Sequence, residues 1–166
     1  VTTHDLTLTV NPGGSLHGNI SVPGDKSISH RAIMFGALAE GVTEVRGFLE
    51  GEDSIATLNA FRAMGVEIEG PDNGRVIIDG VGLTGLRAPA EPLDLGNSGT
   101  SMRLLAGLMS AQTFNVELMG DESLTRRPMR RVTEPLAAMG ARIASSAHGT
   151  PPLKITGGSA LRGIDY

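Results

Sequence analysis

The chain repeats itself, and that limits its folds more than any single motif does. Arg31 before an apolar run returns as Arg103 before LLAGLM, 72 residues on, and GEDS at Gly51 returns as GDES at Gly120, 69 on. AMGVEI at Ala63 returns as AMGARI at Ala138 after 75 residues, and VIIDG at Val76 as LKITG at Leu153 after 77. Four pairs in one order, with offsets drifting by a few residues, mark a duplicated supersecondary unit with loops of unequal length. SLHGNI at Ser15 opens the first copy, and ALRGIDY at Ala160 resembles the same opening. The expected organisation is an N-terminal segment over 1–14, a first unit over 15–84, a second over 85–159, and the start of a truncated third over 160–166. Units of this kind do not close their apolar faces alone, so part of a packing surface is expected to be bare.

Helix and strand signals alternate within each copy around 23 glycines, which predicts an α/β protein. LHGNISV, residues 16–22, alternates as a strand does. A helix is predicted over Ser27–Ala39, ending near Gly41, and another over Ser54–Met64, capped by Asp53 or Ser54 and stopped by Gly65. Strands follow over Val66–Glu69 and Arg75–Asp79, joined through the turn signal PDNG. Aromatic residues make up only 3% of the chain, so the core has to be aliphatic.

A net charge of −4 argues against binding to nucleic acid or an anionic membrane. Any basic cluster is therefore local and directed at something small. The chain has no cysteine and its four histidines lack ligand spacing, which excludes a thiolate metal site and predicts no metal. With no apolar stretch of membrane-spanning length and no signal-peptide pattern, the expected location is cytoplasmic.

Chemistry concentrates at two helix entrances. In PGDKSISHR, residues 23–31, Gly24 permits a turn that a side chain would obstruct. Lys26, Ser27, Ser29 and Arg31 then crowd donors around free backbone N–H groups at the positive end of a helix, where an anion fits. The spaced glycine of a Walker loop is missing. LGNSGTSMR, residues 95–103, repeats the arrangement with Asn97, Thr100 and Arg103. Two such cradles imply ligands with more than one acidic group, whereas capped helices with solvated charges would read the same way. In GDESLTRRPMRR, residues 120–131, Pro128 suits the first turn of a helix, leaving Arg127 outside it and free to reach over the site. Arg126, Arg130 and Arg131 read as a solvated face. Pro135 either kinks this helix or marks its start.

Taken together, PGDKSISHR, LGNSGT.MR and GD.SLT.RPM resemble the N-terminal part of the 3-phosphoshikimate 1-carboxyvinyltransferase (EPSP synthase) family, over essentially the whole chain. The resemblance implies an inside-out α/β barrel built from βαβαββ units, two here plus the start of a third. It implies enolpyruvyl transfer from phosphoenolpyruvate to the 5-hydroxyl of shikimate 3-phosphate, without a cofactor. Lys26 then resembles the lysine touching both substrates, and Ser27 and Arg31 resemble contacts to shikimate 3-phosphate. Gly99 resembles the glycine against which phosphoenolpyruvate packs, and Arg127 the arginine paired with its anionic groups, with Asn97, Thr100 and Arg103 in support. Glyphosate occupies the phosphoenolpyruvate position in this family, and some tolerant members carry Ala at the position of Gly99. The family's acid/base residues and its Ser-Ser-Gln segment match nothing here, so the missing C-terminal part of the enzyme is an expected partner. Two alternatives fit the same residues: a non-catalytic anion-binding module working through a partner chain, and UDP-N-acetylglucosamine enolpyruvyl transferase. A phosphate-directed Ser27 and Arg31 favour shikimate 3-phosphate over the latter.

Overall fold

A computed structural model describes residues 7–166; His4 and the first six residues of the expected N-terminal segment lie outside the described residues. The first helix, α1 (Lys26–Leu38), is capped by Asp25, whose carboxylate accepts from the Ile28 N–H at 2.7 Å. Gly24 is required just before it, because a Cβ there would sit 1.9 Å from the Gly47 carbonyl oxygen. Strand β1 (Glu40–Val45) leads to α2 (Glu52–Ala63), then β2 (Glu67–Asp72) and β3 (Arg75–Val81). Asn73 and Gly74 both take positive φ between β2 and β3, the tight hairpin turn that Asn-Gly favours. The second half runs β4 (Leu93–Asp94), α3 (Gly99–Ser110), β5 (Val116–Met119), α4 (Glu122–Thr125), α5 (Arg130–Ala138), β6 (Arg142–Ala144) and β7 (Leu153–Thr156).

The two sheets share a plan. One has the order β1-β3-β2 and the other β4-β5-β7-β6, so β1, β3 and β2 correspond to β5, β7 and β6, each triplet antiparallel throughout. Among the described residues, β4 is the strand without a counterpart; it runs parallel to β5, pairing Leu93 with Leu118. Helix α2 packs against both α1 and α3, while α1 lies on β3 and α3 lies on β5 and β7. This is an α/β fold with helices inside and sheets outside. The core is one continuous cluster of Ile, Leu, Val and Met with very few aromatics, among them Ile33, Leu58, Phe61, Ile78, Met102, Leu105 and Leu118.

Several expectations need correction. Residues 16–22 form no strand: a strand needs a hydrogen-bonded neighbour, none is supplied among the described residues, and Leu16, Ile20 and Val22 lie exposed. Residues 160–166 form none either, their chain being tied back by Arg162 N–H to the Met139 carbonyl. Helix α2 begins two residues earlier than predicted, with Gly51 at the cap and no side-chain cap bond, because Ser54 is turned into the core. Pro128 precedes α5 rather than opening it, and Pro135 lies inside that helix. Among the described residues, no helix is long and apolar enough to cross a membrane.

Candidate functional site

At the first entrance the Asp25 carboxylate already occupies the Ile28 N–H, and Ser29 turns inward, its hydroxyl donating to the Asp25 carbonyl at 2.8 Å and accepting from Leu49 N–H at 2.9 Å. The expectation of a row of free N–H groups is thus corrected. Capping satisfies part of the helix end and sets a negative charge on its dipole, so an anion has to be held mainly by side chains. Lys26, Ser27 and Arg31 are exposed, with Ser27 and Arg31 four residues apart on one helical face. Lys26 is held in place: its Nζ donates to Asp53 Oδ2 on α2 at 2.9 Å.

The second entrance is also capped, here by Ser98, whose Oγ accepts from Ser101 N–H at 3.2 Å. Gly99 is buried behind two guanidinium groups, since a Cβ on it would lie 3.0 Å from Nη1 of both Arg103 and Arg127. Arg103 Nη1 donates to the Gly99 carbonyl at 3.1 Å. Arg127 stands between α4 and α5, as its position before Pro128 suggested, and donates to Asn97 Oδ1. The amide of Asn97 in turn donates to Asp121 Oδ2 at 2.7 Å. That bond is the main reason the Asp121 carboxyl is held below its ordinary range, with the Leu124 N–H and Arg127 adding to the effect. Thr100 lies half-buried in the first turn of α3. Arg126, Arg130 and Arg131 are exposed, Arg126 pairing with Glu122, which agrees with a solvated face.

Asn97, Gly99, Arg103 and Arg127 therefore form one contacting group, and Lys26 with Asp53 another. The helices carrying them meet where His30 Nδ1 on α1 comes within 3.5 Å of Ser101 Oγ on α3. Sequence reasoning missed the acidic partners. Asp53 lies in GEDS, noted as a repeat marker and a candidate helix cap, and Asp121 in GDES, noted as a repeat marker; an acidic pair after glycine in both copies was the available signal. A groove of about 500 Å³ between α2 and β4 contains none of the expected site residues, and Glu52 and Asp94 in its lining make it hostile to anions. Among the described residues, no cluster of His, Asp and Glu is suited to hold a metal ion.

Residues 10–166 match the family model described as EPSP synthase (3-phosphoshikimate 1-carboxyvinyltransferase). The chain is similar to the 3-phosphoshikimate 1-carboxyvinyltransferase of Methylococcus capsulatus, at 68% identity over 98% of this chain and 37% of that protein. It is also similar to that of Nitrosococcus oceani, at 66% identity over 97% and 36%. The solved EPSP synthase of Acinetobacter baumannii superposes with a TM-score of 0.88 and 63% identity over 90% of this chain and 34% of that one. The chain thus spans little more than a third of the length of these relatives. With the family model covering nearly every residue and relatives this similar over almost the whole chain, the chain belongs to the EPSP synthase family.

Proposed function

We propose that this chain supplies the N-terminal part of the substrate site of a cytoplasmic enolpyruvyl transferase of aromatic amino acid biosynthesis. In that reaction the 5-hydroxyl of shikimate 3-phosphate adds to C2 of phosphoenolpyruvate. The resulting tetrahedral intermediate then expels phosphate, leaving 5-enolpyruvylshikimate 3-phosphate. The observation that carries the reading is the placing of Arg103 and Arg127 over the backbone of Gly99, across the helix cluster from a lysine held by Asp53. Both substrates are anions whose charge moves during the reaction, and fixed cations stabilise such charge without reorganising. In this reading Ser27 and Arg31 take the phosphate of shikimate 3-phosphate, Lys26 lies between the two substrates, and phosphoenolpyruvate packs on Gly99 under Arg127. Asn97, held by Asp121, sets the reach of Arg127, while Thr100 and Arg103 support the second entrance. The same reading divides the chain into units over 15–84 and 85–159, with 160–166 opening a third.

Titrating shikimate 3-phosphate into the 15N-labelled chain tests the substrate assignment. Amide signals of Lys26 to Arg31 are expected to shift at millimolar ligand, while those of the solvated Arg130–Arg131 stay fixed. Stationary signals at both entrances would overturn it.

Gly99 gives a second test, in the protein extended to the length of its relatives. A methyl group at Gly99 meets both guanidinium groups at 3.0 Å, tighter than ordinary contact, so the arginine tips must give by a few tenths of an ångström. That narrows the pocket more for glyphosate, the longer ligand, than for phosphoenolpyruvate. Gly99→Ala is expected to raise the glyphosate inhibition constant by a larger factor than the KM for phosphoenolpyruvate. Equal factors would remove Gly99 from the site.

A further inference from the structure

His30 is fully buried, yet it is polar and stands in the midst of the helix cluster. Its Nδ1 lies 2.7 Å from Thr57 Oγ1 on α2. That hydroxyl lies 2.6 Å from Ser101 Oγ on α3, which lies 2.6 Å from Ser98 Oγ, the cap of α3. All four side chains are buried, and Nε2 of the ring has no hydrogen-bond partner among the described residues. The link begins one helical turn after Lys26 and one residue before Arg31. It ends at the residue before Gly99. It therefore joins the two entrances through a core that is largely apolar.

An aliphatic contact between helices tolerates small shifts, because many packings of methyl groups have similar energy. A buried row of hydrogen bonds at 2.6–2.7 Å does not, since a polar group pulled off its partner in the interior costs about 1–3 kcal/mol. We propose that His30 is a positioning residue whose neutral ring, bonded through Thr57 and Ser101 to Ser98, fixes the Gly99–Arg103 entrance against the Lys26–Arg31 entrance. Naming shikimate 3-phosphate as a ligand sensitive to that spacing rests on the proposed enolpyruvyl transfer; the link itself does not.

The ring has to stay neutral for this role. Burial holds its pKa below the ordinary 6.5; Asp53 on α2 opposes this and Lys26 on α1 reinforces it, while α3 presents the hydroxyls of Ser98 and Ser101. A charged ring would carry a proton on each nitrogen, and the one on Nε2 would have no acceptor. With the folded pKa lowered, the unfolded chain binds more protons below about pH 6.5. The contribution of the link is full above that value and declines as the pH falls.

Three variants of the 166-residue chain test this by 15N NMR: His30→Leu, which fills the volume without a hydrogen bond; His30→Asn, whose amide falls near the Nδ1 position; and Ser101→Ala, which removes the middle hydroxyl. Without ligand, the amide signals of Ser98 to Arg103 are expected to move in His30→Leu and Ser101→Ala and to stay near their wild-type positions in His30→Asn. Affinity for shikimate 3-phosphate should fall about tenfold in the first two, the loss of one buried hydrogen bond, and be largely kept in His30→Asn. Unmoved Ser98–Arg103 signals in folded Ser101→Ala would overturn the proposal, as would an equal disturbance by His30→Asn and His30→Leu. If His30→Leu does not fold, Ser101→Ala and His30→Asn decide. If shikimate 3-phosphate moves no wild-type signal, the substrate reading fails and the ligand-free shifts still decide the link.

Discussion

In the protein extended to the length of its relatives, Lys26→Ala is expected to lower kcat/KM by about 10²–10³, with the melting temperature almost unchanged. The two halves of this expectation come from one geometry. The Lys26–Asp53 pair is partly open to water, the lysine side chain keeping 53% of its exposure, and such pairs contribute only about 0–1 kcal/mol to folding. Toward a bound anion the same ammonium is a preorganised cation, because Asp53 holds it at 2.9 Å from a neighbouring helix. Alanine removes the charge and also leaves the Asp53 carboxylate facing the entrance with nothing to balance it. Adding Asp53→Asn to Lys26→Ala is therefore expected to recover part of the lost affinity for shikimate 3-phosphate. Steady-state kinetics and thermal melts of both variants give the answer. Full turnover by Lys26→Ala, or its unfolding, would remove Lys26 from the site.

How much of this was legible in the sequence depends on how local the cause is. Helix α1 was placed to within one residue at either end because a Pro-Gly turn, a polar first turn and an apolar run all act over a few residues. The Asn73-Gly74 hairpin follows from the backbone freedom of those two residues alone. Arg127 was rightly set outside a helix, although Pro128 lies farther out than the first-turn preference of proline implies, since Met129 takes the cap. What failed was decided elsewhere in the chain. The alternation of 16–22 is a real strand pattern, but its neighbour strand is not a local property. Likewise, nothing near Lys26 indicates that its partner is 27 residues away on α2, or that His30 would reach Thr57 and Ser101; these pairings arise from how three helices pack. Even the helix entrances were half legible: the donor side chains were recognised, whereas the capping of both helix ends by Asp25 and Ser98 was not.

The largest effect is expected from adding the part of a relative that this chain does not match. By itself the 166-residue polypeptide should show no detectable turnover of shikimate 3-phosphate with phosphoenolpyruvate. Mixing it with the part of the Methylococcus capsulatus relative that it does not match should produce turnover. The structure supplies the reason for docking. Ile28 and Phe35, seven residues apart on one face of α1, are 60% and 69% exposed. Val42 on β1 is also exposed, and β1 is the edge of its sheet where the corresponding β5 is flanked by β4. Large apolar side chains beside a strand edge that is unpaired among the described residues form a surface that a further strand and helix cover favourably, and the edge supplies backbone hydrogen bonds that fix the register. With 68% identity over the matched region, the surface offered to the added part should closely resemble its own. Docking should quench the exposure of β1 amides to hydrogen exchange and bring acid/base groups over the Lys26 and Gly99 entrances. Turnover by the chain alone would show that these groups are not needed. A mixture that protects β1 yet stays inactive would sink the enolpyruvyl transfer reading of the two entrances while leaving the docking face intact.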